Sequence, residues 1–193
     1  MSAFIAVGFY VSFVYLVSWL QIADGIPPSR ALEINSFSMA VSLLVVIAAG
    51  LLSDRFGRKP VLMLACILGF VGALPAFLLL NHPSGLMAQL GQLCLVAMIG
   101  LYGGAQPTIM VEAAPLPVCC TAVALGYNIS LGVIGGSTPL VATWLVNRTG
   151  DEITPAFMVM GAAGVTFATL LWFRETYRTP FIGGRSGAVA AYA

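Results

Sequence analysis

This sequence predicts an all-α integral membrane fold, a bundle of six transmembrane helices, and three observations predict it. Hydrophobic residues make up 60% of the 193-residue chain and charged residues 8%, with mean hydropathy +0.99, against about 45–50% apolar and about 25% charged in soluble domains. Six apolar stretches recur, each near the ~20 residues that cross ~30 Å of hydrocarbon. The few charges gather in the breaks between them, most densely at Asp54, Arg55, Arg58 and Lys59. A water-soluble fold of this length could not cover itself with so few charges.

The first span is expected over 3–22. Met1-Ser2 brings no basic stretch before it, and the apolar run is too long for a signal-peptide core, so it reads as a retained helix. Gly8, Ser12, Tyr15 and Trp19 recur along it at helical spacing. Asp24-Gly25-Ile26-Pro27-Pro28-Ser29 carries turn chemistry, and Ser29 is the expected N-cap of the second span, 31–52, which bears Asn35, Ser38 and Ser42. Gly50-Leu51-Leu52-Ser53-Asp54-Arg55-Phe56-Gly57-Arg58-Lys59-Pro60 follows, and its opposed charges and two glycines call for a tight turn held by ion pairing. The third span, 60–80, has no charged, amide or hydroxyl side chain. A short loop with the lone, solvated His82 leads to the fourth, 85–110, where Gln89 pairs with Gln92 and Tyr102 with Gln106. Ala114-Pro115-Leu116-Pro117 breaks the chain before the fifth, 121–146, with Tyr127, Asn128, Gly135 and Thr138. Asn147-Arg148-Thr149-Gly150-Asp151 precedes the sixth, 155–173, whose Thr166 and Thr169 can bond their own helix backbone.

An unpartnered amide in hydrocarbon costs several kcal/mol, so the four striped helices are expected to face protein or a watery cavity, with the third and sixth toward lipid. Tyr15, Asn35, Ser38, Gln106, Tyr127 and Asn128 are the candidate cavity groups, neutral and hydrogen-bonding. Gly100-xxx-Gly104 and Gly132-xxx-Gly136 are close-packing signals. The order polar, polar, apolar occurs twice, as two three-helix repeats would give. Six basic residues (Arg55, Arg58, Lys59, Arg174, Arg178, Arg185) fall on one side and two (Arg30, Arg148) on the other, which places both termini in the cytoplasm of a multi-pass inner-membrane protein.

Other function classes find little support. A net charge of +1 gives no reason to propose nucleic acid as a partner. Cys66, Cys94, Cys119 and Cys120 lack metal-ligand spacing, and no metal or cofactor is expected. No Ser-His-Asp set or intramembrane His or Asp pair suggests an enzyme.

The Gly50-x-Leu52-x-Asp54-Arg55-x-Gly57-Arg58-Lys59 loop resembles the signature of major facilitator superfamily transporters. Pro107-x-x-x-Val111-Glu112, Ala124-Leu125-Gly126-Tyr127-Asn128 and the run from Gly135-Gly136 through Pro139 to Leu145 resemble the metabolite:proton symporter branch. The resemblance covers residues 9–175 and is to the second half of such carriers. It implies a fold of two inverted three-helix repeats over 1–176, a disordered cytoplasmic tail over 177–193, and a missing N-terminal six-helix half supplied by a separate chain or a homodimer partner. The chain is then expected to be a truncated or split half, inactive alone. Gly50, Asp54, Arg55, Gly57, Arg58 and Lys59 become a gating motif that latches and opens during alternating access. The implied substrate is a small metabolite, an organic acid, amino acid or betaine, carried with protons across the lipid bilayer. Two arginines usual in the family are replaced here by Pro117 and Cys119, which removes candidate partners for Asp54 and Glu112. No carboxylate or histidine lies mid-span, so the coupling group is expected in the other half. The competing expectation is a non-transporting six-helix scaffold or regulatory subunit.

Overall fold

The structure, a computed structural model, describes residues 1–22, 27–82, 84–113 and 119–172. Among the described residues six helices are long and apolar enough to cross a membrane: α1 (Ala3–Gln21), α2 (Pro28–Phe56), α3 (Arg58–Leu80), α4 (Gly85–Glu112), α5 (Cys119–Thr149) and α6 (Thr154–Trp172). The described residues contain no β-strand, and the protein is an all-α six-helix bundle. The expected tail, 177–193, lies outside the described residues.

Helix boundaries depart from expectation where the ends are polar. α2 starts at Pro28, with Pro27 as its N-cap, so Ser29 lies inside the first turn and caps nothing. Proline suits that position because its fixed φ already matches a helix and its missing N–H would have had no partner. At the other end α2 runs on to Phe56, and Gly57 alone separates it from α3. Gly57 has φ 104°, which glycine adopts freely and other residues rarely do. The expected charged loop is therefore a one-residue corner between two helices. α5 ends comparably at Gly150, left-handed at φ 69°, whose N–H reaches Val146 O at 2.8 Å.

Two helices widen in mid-course. Val11–Tyr15 of α1 and Ser130–Gly135 of α5 are π segments, a local change in backbone pairing frequent at functional sites. Pro139 lies four residues after Gly135 and cannot donate to it. Ser137 and Thr138 hydroxyls each donate at 2.7 Å, to the Val133 and Ile134 carbonyls. Two carbonyls of the π segment thus gain side-chain donors within the apolar span.

α4 is the hub, and small residues allow its contacts to α1, α2 and α3. A Cβ on Gly91 would stand 2.7 Å from Ala76 O of α3. One on Gly103 would meet Ile5 of α1 at 3.2 Å, and one on Gly104 would meet Val46 O of α2 at 2.5 Å. Gly100-xxx-Gly104 is thus a real helix–helix seam. Gly132 and Gly136 have no neighbour within 4 Å among the described residues, so the second small-residue motif packs on nothing here. Phe4 joins three helices: its ring stacks edge-on against Tyr102 at 5.3 Å, covers Gly69, and its N–H donates to Thr166 Oγ1 at 3.2 Å.

Burial has a period of three helices. In the most apolar stretch of each, the buried share is 61% for α1 and 50% for α4, 17% for both α2 and α5, and 44% and 33% for α3 and α6. That is the pattern two three-helix units would give. The helices least covered by this chain are the polar-striped α2 and α5. α3 has one exposed side (Leu64, Ile67, Leu68, Phe70, Val71) and one buried against α4 and α6.

Candidate functional site

The first polar cluster forms where α2, α3 and α4 end together. The Gly57 corner brings Asp54, in the last turn of α2, beside Arg58, in the first turn of α3. Arg58 pairs with Glu112 at the end of α4, and its Nη2 stands 3.7 Å from Asp54 Oδ1. Arg58 and Glu112 are only 16% and 18% exposed, whereas Asp54 is 70% exposed. The Glu112 contact therefore carries most of the attraction, since an exposed, long pair contributes ~0–1 kcal/mol. A carboxylate here also offsets the cost of placing Arg58 and Lys59 at the positive end of the α3 dipole. Lys59 reaches across to α6, donating from Nζ to Leu171 O at 3.3 Å, a favourable site for a cation at a helix C-terminus. Arg55 lies over the Phe56 ring at 5.9 Å, and Gly50 lies against Gly104. Four helix ends are thereby tied into one cluster.

Glu112 is the residue that loop pattern alone did not place in the gating set. Its signal was present: a lone carboxylate closing a long apolar helix on the same side as a cation-rich corner. Asp54 and Glu112, for which two candidate family partners are replaced, both face Arg58. Pro117 lies outside the described residues, and the Cys119 thiol donates to Val111 O at 3.4 Å.

The second polar set lies inside the bundle. Gln92 Nε2 donates to Ser12 O at 3.1 Å, within the π segment of α1, and to Asn35 Oδ1 at 3.0 Å on α2. One amide thus holds three helices together. Near the first turn of α1, Gln106 Nε2 donates to Ser2 Oγ at 2.9 Å and Tyr102 Oη donates to Met1 O at 2.7 Å. Ser12, Ser38, Gln92 and Gln106 are fully buried and Tyr15 nearly so. Asn35 and Tyr127 are half-buried, and Asn128 is exposed, donating to Ala124 O at 2.8 Å. The six candidate cavity residues therefore split into an interior group (Tyr15, Ser38, Gln106) and an accessible group (Asn35, Tyr127, Asn128).

Gln92→Leu leaves the buried Ser12 carbonyl and the half-buried Asn35 without this donor, and a buried orphan costs ~1–3 kcal/mol. Thermal unfolding in detergent should show a clear loss of stability relative to Gln89→Leu, at a half-buried position on the same helix. Equal melting of the two variants would refute Gln92 as the tie.

Among the described residues no group of three His, Cys, Asp or Glu side chains could hold a metal ion. No protein-family model matches the chain, and no solved structure matches it. The sequence is 31% identical over 182 residues to the glycine betaine/proline/ectoine/pipecolic acid transporter OusA of Dickeya dadantii, covering 94% of this chain and 36% of that protein. It is equally similar, 31% over 182 residues, to the proline/betaine transporter of Escherichia coli K12, with the same coverage. It is 38% identical over 136 residues to the citrate-proton symporter of Klebsiella pneumoniae, 66% of this chain and 31% of that one. The chain thus spans about a third of the length of these relatives. It resembles metabolite:proton symporters of the major facilitator type over part of a larger protein, and its relatives are transporters, not enzymes.

Proposed function

We propose that the chain is one six-helix half, the C-terminal one, of a proton-coupled carrier for a small metabolite, and that it acts by alternating access against a second six-helix bundle. The observation that carries this reading is the cluster of Asp54, Arg58, Glu112 and Lys59 at one end of four helices, in a chain similar to transporters nearly throughout. Charges gathered at helix ends and tied across a glycine corner make a latch that can break and re-form as helix ends part. The bare apolar faces of α2 and α5 support a partner bundle docking on them, and Asn35, Tyr127 and Asn128 are then the groups open to a shared cavity. Tyr15, Ser38 and Gln106 shape that cavity from behind. The orientation is the one set by the basic residues, with the Arg58 end in the cytoplasm.

The names of the relatives suggest the substrates to try: proline, glycine betaine and citrate. Uptake of each, labelled, is measured in membrane vesicles from cells with and without the gene, under an imposed pH gradient. Gradient-dependent uptake of one of them, present only with the gene and lost in Arg58→Gln, is the expected result. Indistinguishable uptake of all three would sink the carrier reading in favour of a six-helix scaffold or regulatory subunit. Asn128→Ala should raise the KM for that substrate with little change in protein level.

A further inference from the structure

Three fully buried residues of the interior polar set each keep a side-chain oxygen with no hydrogen-bond partner among the described residues: Ser12 Oγ on α1, Ser38 Oγ on α2 and Gln92 Oε1 on α4. Serine and threonine hydroxyls in a helix ordinarily turn back onto their own backbone. Those of Ser42, Thr143 and Thr169 do so, at 2.6, 2.8 and 2.7 Å, whereas those of Ser12 and Ser38 do not. The Gln92 amide is oriented by its partners. Its nitrogen donates to two oxygens, Ser12 O and Asn35 Oδ1, and turning the amide over would set Oε1 against both. The three unpartnered atoms belong to one neighbourhood. Ser12 and Asn35 are bonded to Gln92, and Ser38 is one turn on from Asn35, on the stripe of Ala31, Ile34 and Ser38 that α2 buries. Ser12 also lies in the π segment of α1, a backbone form frequent at functional sites.

We infer that Ser12, Ser38 and Gln92 hold a buried water molecule that bridges α1, α2 and α4. The bonding balances: the water donates to Gln92 Oε1 and to one serine oxygen and accepts the other serine's proton, so each atom gains a partner. About three such bonds is what a buried water commonly makes. Unbridged, each of the three atoms keeps the full cost of leaving water. A cation fits less well, because the set holds no carboxylate and the Gln92 nitrogen already engages Ser12 O and Asn35 Oδ1. The site needs neither a second bundle nor a substrate, so it stands apart from the carrier reading.

The test is thermal unfolding of the full chain in detergent with Ser12→Ala, Ser38→Ala and the double variant. Ser42→Ala, at a half-buried hydroxyl already bonded to Met39 O, is the reference for what alanine by itself does in a helix. Relative to it, each single change should lower the melting temperature by ~2–4 °C, because the water loses one of its partners. The double change should cost clearly less than the sum of the two, a coupling that hydroxyls on separate helices acquire through a shared occupant. A melting temperature left unchanged or raised by either alanine would overturn the proposal, since deleting an unbridged hydroxyl relieves its desolvation. Additive losses would overturn it too. So would a melting temperature that sodium chloride raises over choline chloride in the unsubstituted chain and not in Ser38→Ala, the mark of a cation at the site.

Discussion

A Gly104→Leu chain should fail to assemble. The first side-chain atom alone would lie 2.5 Å from Val46 O, 2.7 Å from Ala49 Cβ and 2.9 Å from Gly50 N. Two of those three atoms are backbone, so no rotamer change can relieve the contact and the α2–α4 seam has to open. Overpacking a core costs about 1–3 kcal/mol even when side chains can yield, and total stability is commonly ~5–15 kcal/mol. The loss here should exceed that range, because α4 also carries the contacts to α1 and α3. Gly100→Ala is expected to be milder, since its nearest atom is Val45 Cγ1 at 2.8 Å, on a side chain that can shift. Gly132→Leu, with nothing within 4 Å, should leave the melting temperature of this chain unchanged. Size-exclusion profile and thermal unfolding in detergent decide it. A monodisperse, normally melting Gly104→Leu chain would show that α2 and α4 do not meet at this seam.

Loss of the Arg58 guanidinium is the second large effect. Arg58→Gln removes the guanidinium that faces Glu112, a side chain only 18% exposed. Breaking a fully buried pair costs ~3–5 kcal/mol, whereas surface pairs contribute ~0–1 kcal/mol. With both groups still partly open to water, ~1–3 kcal/mol is expected. Asp54→Asn should cost well under that, its oxygen being 3.7 Å from Arg58 Nη2 and its side chain 70% exposed. A double-mutant cycle isolates the pair: Arg58→Gln with Glu112→Gln should cost clearly less than the sum of the two single changes. Additive losses would mean that Arg58 and Glu112 stabilise the bundle separately and form no latch.

Much of the architecture was legible beforehand for a simple reason. A charge or a turn residue contrasts sharply with hydrocarbon, so Gly57 between Arg55 and Arg58, and Asn147 through Asp151, mark helix ends. Six spans and the corner between the second and third followed from that contrast, with errors of a few residues where polar ends continue the helix, as at Pro28 and Thr149. The similarity to metabolite:proton symporters rested on the same local runs. The π segments were hidden, since Val11–Tyr15 reads like any apolar helix turn. So was the role of Gln92, one member of a polar stripe whose partners, Ser12 O and Asn35, lie far off in sequence.

The amino-acid sequence by itself determined the number of spans, their approximate ends, the membrane setting and the charged corner. Tertiary structure alone decided that Glu112 answers Arg58, that Gly104 and not Gly132 meets a neighbour, and that α2 and α5 are the uncovered helices. The physical reason is one of contrast. Along the chain, water and hydrocarbon differ strongly and leave a readable boundary, whereas lipid and protein interior are both apolar. Hydropathy therefore cannot say which side of a helix is packed, and only shape complementarity between helices distant in sequence settles it.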